Sequence, residues 1–342
     1  MRKLILSMAL AILSVGAYAQ APTNKAVKGT TPSKSLNCGA DNAQNPIVGK
    51  KYTYAVDGPE GNYHFLATNQ TTFIENKNLK TDGAYVDGNQ IKVGANYNNP
   101  TSTEKSIDIT WTNSAAGTSY LVVNHTPKTG CTTTNNLKVL EIRPKNAFFI
   151  ELRNIENNVV KALSDISNVN VCLGQIESAQ IQGDKVKYNY GEQSLFYELI
   201  AVNYDKTFKP QIKVQGLKEG QTATLKWGYS KDAINSVLPN TIDKDTDNNV
   251  IDIDVITALE TATPSEGVSI YFELVVKNGS FEGLVDQEII LLADATTGAN
   301  NSNNVNESCT QESEFADKAI QTLLKRSTIT AQGGLNFIQS AP

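Results

Sequence analysis

Short stretches in which apolar and polar residues alternate recur along this chain, and Gly, Asn, Asp and Pro separate them. Alternation with a period of two predicts β-strands that bury one face, because successive side chains of a strand point to opposite faces of its sheet. In the first half of the chain, this pattern predicts strands near Lys51–Val56, Tyr63–Ala67, Thr71–Glu75, Ala84–Val86, Gln90–Val93, Ser106–Trp111, Ser119–Asn124, Asn136–Ile142 and Ala147–Leu152. Asp87-Gly88-Asn89 separates two of these stretches and predicts a hairpin turn.

The pattern weakens between Asn154 and Asn170, which indicates a domain boundary, and then resumes. A second group of strands is predicted near Ala179–Gln182, Val186–Tyr190, Leu195–Tyr204, Gln211–Gln215, Thr222–Tyr229, Val250–Ile256, Val268–Lys277 and Gln287–Ala293. The two groups predict an all-β chain of two consecutive immunoglobulin-like sandwiches, at residues 38–160 and 168–295. A single large β-domain is the alternative interpretation.

The first 19 residues have the three parts of a secretory signal peptide: Arg2-Lys3, a short apolar run, and the small-residue sequence Ala17-Tyr18-Ala19. The apolar run is about 12 residues long, whereas a membrane-spanning helix needs roughly 20, so cleavage is favoured over a retained N-terminal anchor. Residues 20–37 are polar, contain Pro and lack hydrophobic periodicity, which predicts a flexible leader.

The pattern changes again over residues 296–342, which begin with a polar loop rich in Asn. After the loop, apolar residues recur at a spacing of three and four, which predicts a short C-terminal helix with Phe315, Ala319, Ile320, Leu323 and Leu324 on one face. The helix is expected to dock on its own domain, and a helix that binds a partner is the alternative.

Composition and charge exclude nucleic acid as a main partner. Only 19% of the residues are charged, and Asn and Thr are abundant, which suits the solvated surface of a β protein. Removal of residues 1–19 leaves 28 basic and 35 acidic side chains, a net charge of −7. Nucleic-acid binding needs clustered Lys and Arg, and here the positive residues are scattered.

Four cysteines in an exported protein usually form disulfides, and four allow three connectivities. Cys38 and Cys131 bracket the first group of strands, and Cys172 and Cys309 bracket the second. If each sandwich closes on itself, the pairs are Cys38–Cys131 and Cys172–Cys309. The alternative, Cys131–Cys172, would link the two sandwiches.

Residues 106–131, SIDITWTNSAAGTSYLVVNHTPKTGC, contain the spacing W-x(5)-G-x(2)-Y-x-V and end in a Gly-Cys turn. This stretch resembles the PKD-like and immunoglobulin-like modules of secreted surface proteins of Bacteroidetes. In those modules a cysteine near the domain start and the Gly-Cys cysteine recur, as Cys38 and Cys131 do here. Residues 188–204, YNYGEQSLFYELIAVNY, look like the second half of proteins of this type that are encoded near gliding-motility and type IX secretion components. The resemblance implies an exported envelope or surface protein.

The two histidines, His64 and His125, are the residues that a nucleophilic triad would have to use. His64 lies in a predicted strand and His125 in the turn after one, and neither has a sequence context that suggests general-base catalysis. The sequence contains no HExxH, GxSxG, GxGxxG or CxxC motif. We therefore predict no catalytic residue and no organic cofactor.

An acidic stretch is the sharpest local signal for a ligand. Asp243, Asp245, Asp247, Asn249 and Asp254 are candidate calcium ligands, because alternate carboxylates in a loop can supply the hard oxygens that Ca²⁺ prefers. Two departures from an EF-hand loop weaken the match: Asn248 stands where the sharp turn needs Gly, and Asp254 stands where the bidentate Glu is expected. A solvated acidic loop that enters an edge strand is the alternative.

These observations predict a non-catalytic, exported protein of the periplasm, cell surface or extracellular space that acts as a structural or protein-binding module. The resemblance adds an expected link to type IX secretion or gliding machinery. A carbohydrate-binding module that depends on calcium is the first alternative, and a hydrolase on a β scaffold is the second. The candidate aromatic anchors for a protein or glycan partner are Tyr97, Tyr188, Tyr190 and Tyr229.

Overall fold

The computed structural model describes most of the chain after the predicted signal peptide. The described residues are 27–28, 32–68, 70–79, 103–111, 118–130, 136–161, 169–205, 207–244, 250–253, 256–257, 266–298, 301–333 and 336–339. The predicted hairpin at Asp87-Gly88-Asn89 and the strands on either side of it lie outside these residues. Among the described residues, none belongs to a helix long and apolar enough to cross a membrane.

Almost all of the regular structure in the described residues is β. The first strands are β1 (Val27–Lys28), β2 (Lys51–Ala55), β3 (Gly61–Thr68), β4 (Ile74–Glu75), β5 (Asn78–Leu79), β6 (Ser106–Thr110), β7 (Ser119–Pro127), β8 (Asn136–Ile142), β9 (Phe149–Glu156), β10 (Val159–Val160) and β11 (Val169–Cys172). The later strands are β12 (Ser178–Gln182), β13 (Lys185–Asn189), β14 (Glu192–Val202), β15 (Thr207–Gln215), β16 (Thr222–Gly228), β17 (Ser236–Asp243), β18 (Ile251–Asp252), β19 (Ile256–Thr257), β20 (Val268–Lys277), β21 (Gln287–Thr297), β22 (Ser302–Asn303) and β23 (Asp317–Leu324).

The smaller sandwich packs the antiparallel pair β2–β6 against the three-stranded sheet β3–β7–β8. Its core combines Tyr54 and Ile109 from the pair with Phe65 and Leu121 from the sheet, and Trp111 is fully buried among them. The indole Nε1 of Trp111 donates to the Tyr54 hydroxyl at 2.7 Å, so its polar atom is satisfied inside the core.

The larger sandwich packs a sheet of order β10-β9-β14-β20-β16-β17 against a sheet of order β11-β23-β21-β15-β18. Within the first sheet, the neighbouring strands β9, β14, β20 and β16 take the A, B, E and D positions of an immunoglobulin sandwich. In the second sheet, β15, β21 and β23 take the C, F and G positions. Alternating residues from both sheets fill the space between them, for example Leu199, Phe272, Ile212 and Leu291. The predicted all-β fold of two sandwiches is confirmed.

The predicted C-terminal helix is wrong, because its residues form strand β23. β23 pairs antiparallel with β21 and parallel with β11. Ala319, Gln321 and Leu323 are buried in alternation. The spacing of four between Ala319 and Leu323 fits one turn of a helix and two periods of a strand equally well, and pairing on both edges selects the strand.

Strand β9 and the leader differ from the predicted grouping. β9 lies within residues 38–160 of the sequence, yet it pairs with β14 along seven residues and so belongs to the larger sandwich. The leader also contacts that sandwich: Val27 and Lys28 pair with Ser269 and Val268 of β20. A short strand with both faces covered, such as β9, does not reveal from its own sequence which sheet it joins.

The predicted pairing Cys38–Cys131 and Cys172–Cys309 is also wrong. Cys38 forms a disulfide with Cys309, with their Cα atoms 5.1 Å apart. The leader docks on the larger sandwich, which brings Cys38 beside the loop between β22 and β23 rather than beside the smaller sandwich. Cys172 is an exposed free thiol at the end of β11, and Cys131 lies outside the described residues.

Candidate functional site

Three segments of the chain meet at one end of the larger sandwich. Along the strands, this end is opposite to the end that carries the Cys38–Cys309 disulfide. Glu192 at the start of β14, Lys277 at the end of β20 and Thr222 at the start of β16 are neighbours in the sheet register. The β12–β13 hairpin precedes β14, residues 278–286 follow β20, and residues 325–339 follow β23. We call the surface formed by residues 174–190, which contain the hairpin, the loop 278–286 and residues 324–339 the distal pole, and residues 325–339 its tail.

Arg326 holds the three segments of the distal pole together. Its backbone N–H donates to the carbonyl of Gly283 at 2.8 Å. Its Nη2 donates to the carbonyls of Gly174 and Tyr190, the latter at 3.1 Å, and its guanidinium lies 5.0 Å from the centre of the Tyr190 ring. The planar guanidinium therefore serves both as a hydrogen-bond donor and as a cation over an aromatic face.

A pair of tyrosines lies beside Arg326. The rings of Tyr188 and Tyr190 are stacked with their centroids 5.3 Å apart and their planes 25° from parallel. Burial, and next the nearby carboxylate of Glu282, raise the pKa of Tyr190 to about 12, so this phenol stays neutral at physiological pH. Tyr190 is buried between Tyr188 and Arg326, so Tyr188, which is half-buried, is the member of the pair that reaches the surface.

Exposed apolar side chains surround the tyrosine pair. Ile329 is 80% exposed, Ile181 is 67% exposed and Phe337 is 62% exposed. The other exposed large apolar residues of the distal pole are Ile176, Leu284, Val285, Leu324 and Ile338. A depression of about 360 Å³ lies between the hairpin, the loop and the tail and is bordered by several of these side chains. A contiguous apolar patch with charged groups at its margin is typical of a binding surface.

A buried network of side-chain amides supports the distal pole from below. Gln193 and Asn278 exchange hydrogen bonds, and the distance from Asn278 Nδ2 to Gln193 Oε1 is 2.7 Å. Gln221 and Gln287 also exchange hydrogen bonds, and the distance from Gln287 Nε2 to Gln221 Oε1 is 2.7 Å. Gln221 Nε2 also donates to Asn278 Oδ1 at 3.0 Å and joins the two pairs. Asn278 Nδ2 donates to the Tyr190 carbonyl at 3.2 Å. A satisfied polar network of this kind rigidifies the loops that it links.

The β12–β13 hairpin projects from the sandwich and has one free edge. All five residues of β12 are exposed, and within the described part of the chain β12 pairs with β13 alone. On the opposite edge, the N–H of Val186 in β13 donates to the carbonyl of Gln339 in the tail at 2.9 Å. Among the described residues, the tail thus contacts one edge of the hairpin, and no strand pairs with the other.

The predicted calcium ligands are mostly outside the described residues. Asp243 is the last residue of β17 and is exposed, and Asp245, Asp247, Asn249 and Asp254 fall on residues that the structure does not describe. Within the described ranges, His, Cys, Asp and Glu form no group of three or more that could hold a metal ion. The calcium site stays a prediction.

The other residues singled out from the sequence lie apart from one another. His64 and His125 are on the neighbouring strands β3 and β7 of the smaller sandwich, and the His125 ring lies 4.6 Å from the Tyr63 ring. Tyr229 packs against Trp227 at the edge of the larger core. Tyr97 lies outside the described residues.

Sequence reasoning missed most of the distal pole, although it named Tyr188 and Tyr190. Neither Arg326 nor the tail received a functional role from the sequence. One signal was available: Ile329, Phe337 and Ile338 are large apolar residues in a polar tail beyond the last predicted element. Apolar residues that no predicted element buries are candidates for a binding surface.

No family model matches this chain, and no curated protein matches it. Among solved structures, it is similar to the N-terminal domain of PorA at 10% identity and a TM-score of 0.24, over 51% of this chain and 96% of that chain. It is similar to CfaE, the adhesive subunit of the CFA/I fimbria of enterotoxigenic Escherichia coli, at 14% identity and a TM-score of 0.29, over 86% of this chain and 88% of that chain. The C-terminal domain of the Streptococcus agalactiae polypeptide BspA is 12% identical with a TM-score of 0.23, over 84% of this chain and 98% of that chain. At these TM-scores the likeness carries no argument about function, and the assignment to the immunoglobulin-like sandwiches rests on the strand order itself.

Proposed function

We propose that this chain is a non-catalytic, exported envelope or surface protein that binds another envelope protein through the distal pole. The observation that carries the proposal is the set of exposed apolar side chains on the distal pole, among them Ile181 and Phe337, with Arg326 and the amide network as a rigid support beneath them. Large apolar side chains on a rigid support are the usual anchors of a protein interface. The Cys38–Cys309 disulfide supports export, because such bonds persist in oxidising compartments.

The partner that the distal pole fits is an extended segment of another protein. The free edge of β12 presents backbone donors and acceptors, so a strand can add to it by main-chain hydrogen bonds. Ile181 is on this strand, and a partner residue that follows the alternation would pack against it. At the opposite edge, the Gln339 carbonyl of the tail accepts one backbone hydrogen bond from Val186, which supports the hairpin edges as sites for main-chain contacts.

Site-specific photocrosslinking in the intact envelope tests this proposal. A photoreactive residue at Ile181 is expected to crosslink one defined envelope protein, and the Phe337→Ser substitution is expected to reduce that product at least tenfold. Leu140 is the matched control, because it is an exposed leucine on strand β8 of the smaller sandwich. Equal crosslinking from Ile181 and Leu140, or none from Ile181, would contradict binding at the distal pole.

We further propose that the partner belongs to the type IX secretion or gliding machinery, which is the association that the sequence resemblance implies. In a strain that lacks the chain, loss of secretion or gliding should be restored by the parent and by the Leu140→Ser variant. The Phe337→Ser variant should fail to restore it. Full secretion and gliding in the strain without the chain would refute this association while leaving the crosslinking result intact.

Carbohydrate binding is the second candidate function, and the stacked Tyr188–Tyr190 pair favours it. A sugar ring would pack on Tyr188, the half-buried member of the pair, with Glu282 and Arg326 beside it to accept and donate hydrogen bonds to its hydroxyls. A glycan array with the mature protein tests this function, with the Tyr188→Ala variant as the comparison. Calcium and chelator arms of the array test whether the predicted acidic loop contributes. Binding that Tyr188→Ala leaves unchanged would exclude the pair as the site.

A further inference from the structure

The polypeptide before the smaller sandwich crosses the outer face of the larger one. We call residues 32–38 the N-terminal strap. Leu36 of the strap packs on Phe149, Ile200 and Val202, which form an apolar cluster separate from the core between the sheets. All three are buried, although their side chains lie on the outer face of the sheet that contains β9 and β14. The strap therefore covers an apolar groove that would otherwise face water.

A buried carboxylate anchors the start of the strap. The Ser33 backbone N–H and hydroxyl donate to the two carboxylate oxygens of Glu151 at 3.0 and 2.8 Å. Glu151 is fully buried and forms an ion pair with Arg153, which is also buried. A buried ion pair is stable only when its remaining lone pairs are satisfied, and Ser33 satisfies those of Glu151. The groove is thus built to recognise a hydroxyl residue three positions before an apolar residue.

The other end of the strap is held covalently. Cys38 is bonded to Cys309, the Asn37 N–H donates to the Glu307 carbonyl at 2.6 Å, and Lys34 pairs with the Glu307 carboxylate. The Lys34–Glu307 pair is about half exposed, and exposed ion pairs contribute little to stability. The disulfide fixes this end of the strap covalently to the loop between β22 and β23, whereas each of the other contacts is reversible.

We propose that the Cys38–Cys309 disulfide is a redox lock on this groove: the strap closes it when the disulfide forms and leaves it when the two cysteines are thiols. In the dithiol form the strap keeps non-covalent contacts alone: Leu36 on the groove, the Ser33 hydrogen bonds, and the contacts of Lys34 and Asn37 with Glu307. These contacts, with the short β1–β20 pairing before them, must then offset the entropy cost of ordering a polar segment. The open groove then exposes Phe149, Ile200 and Val202 together with the Glu151 carboxylate, and it accepts an extended segment with the pattern of the strap.

The closing step is a thiol–disulfide exchange. A disulfide-bearing oxidant takes two electrons from the Cys38 and Cys309 thiols, which lose their two protons, and the oxidant leaves as its dithiol. Because the proposed function places the chain outside the reducing cytoplasm, the groove is open during export and closes afterwards. This inference rests on the proposed export, and it does not depend on any partner at the distal pole.

Hydrogen–deuterium exchange of the mature, full-length protein tests the lock. In the oxidised parent, the amides of residues 33–37 should be protected. In the Cys38→Ser/Cys309→Ser variant they should exchange at least 100-fold faster, while amides in the middle of β14 stay as slow as in the parent. The Cys172→Ser variant is the matched control, because it removes an exposed free thiol and should leave the strap protected.

A second measurement separates loss of the lock from loss of the fold. The parent treated with dithiothreitol should show the fast exchange of the double variant, and reoxidation with glutathione disulfide should restore the protection. Strap amides that stay protected without the disulfide would overturn the lock, since the contacts alone would then hold the strap. Strap amides that exchange freely in the oxidised parent would overturn the docking itself. Neither result bears on crosslinking at the distal pole, so failure of this inference and failure of the proposed function are distinguishable.

Discussion

The larger sandwich should lose stability as the pH rises, and the Asp317→Asn substitution should remove most of this pH dependence. Asp317 is the first residue of β23, and its Oδ2 is buried with no hydrogen-bond partner among the described residues. Burial, and next the neighbouring carboxylate of Glu312, raise the pKa of Asp317 to about 8. The pKa of Glu312 is raised as well, first by burial, and Glu312 accepts a hydrogen bond from Asp317. The folded protein therefore keeps a proton on Asp317 at neutral pH.

The size of the effect follows from proton linkage. In the unfolded chain an aspartate titrates near pH 4, so between about pH 4 and pH 8 the folded state binds one proton more than the unfolded state. Folding stability from this group is fully present below pH 4 and is lost as the pH rises through 8, at about 1.4 kcal/mol per pH unit. From pH 5 to pH 8 the loss amounts to about 4 kcal/mol. An asparagine amide can donate to Glu312 without titrating, so the variant should lose almost none of this.

Urea unfolding from pH 5 to pH 9 measures the difference. Trp111 lies in the core of the smaller sandwich and Trp227 in that of the larger one, so a Trp111→Phe background makes fluorescence report the larger sandwich alone. Asp252→Asn is the control, because a hydrogen bond from Gln211 and the charge of Lys209 lower the pKa of that carboxyl. Parallel stability curves for Asp317→Asn and the parent between pH 5 and pH 8 would refute the reasoning.

Three further predictions concern stability. Gln221→Leu should cost about 1–3 kcal/mol in urea unfolding, because it removes the buried hydrogen bonds that Gln221 makes with Gln287 and Asn278. An equal loss from an exposed Gln180→Leu control would contradict this. Gly216→Ala should lower the stability more than Gly183→Ala, because a Cβ at Gly216 would lie 2.1 Å from the Glu288 carbonyl oxygen. Gly183→Ala should cost only the roughly 1–2 kcal/mol of placing a side chain in the left-handed region. Equal melting temperatures of the two variants would count against the clash. Trp111→Phe should lower the free energy of unfolding of the smaller sandwich by about 1–3 kcal/mol, through the lost hydrogen bond to Tyr54 and the space left behind. Hydrogen exchange in β14 should stay unchanged, and a matching loss of protection there would show that the two sandwiches unfold together.

Local pattern was sufficient to predict several strands of the larger sandwich, among them β14, β15, β16, β20 and β21. In β15, Phe208, Ile212 and Val214 alternate with polar residues and are buried in the same alternation. The same logic failed at β23, since the four-residue spacing from Ala319 to Leu323 satisfies a helix and a strand alike. Pairing with β21 and β11 decided between them, and these partners are distant in the sequence.

The disulfide and the distal pole depended on the tertiary structure. Cysteine positions restricted the choices to three connectivities, but Cys38 meets Cys309 because the leader docks on β20 and over Phe149. The sequence shows that Ile329 and Phe337 are apolar, but it does not show whether other residues cover them. The folded chain shows that both stay exposed beside Tyr190.

The sequence by itself determined the fold class, because alternation of side chains is a property of neighbouring residues and specifies which strand face seeks a core. It also determined that acidic residues outnumber basic ones and that histidine is scarce. The tertiary structure decided which sheet β9 joins, which cysteines meet and which apolar residues remain uncovered. Each of these depends on contacts between distant segments, and the free energy of such contacts belongs to the pair of surfaces rather than to either segment alone.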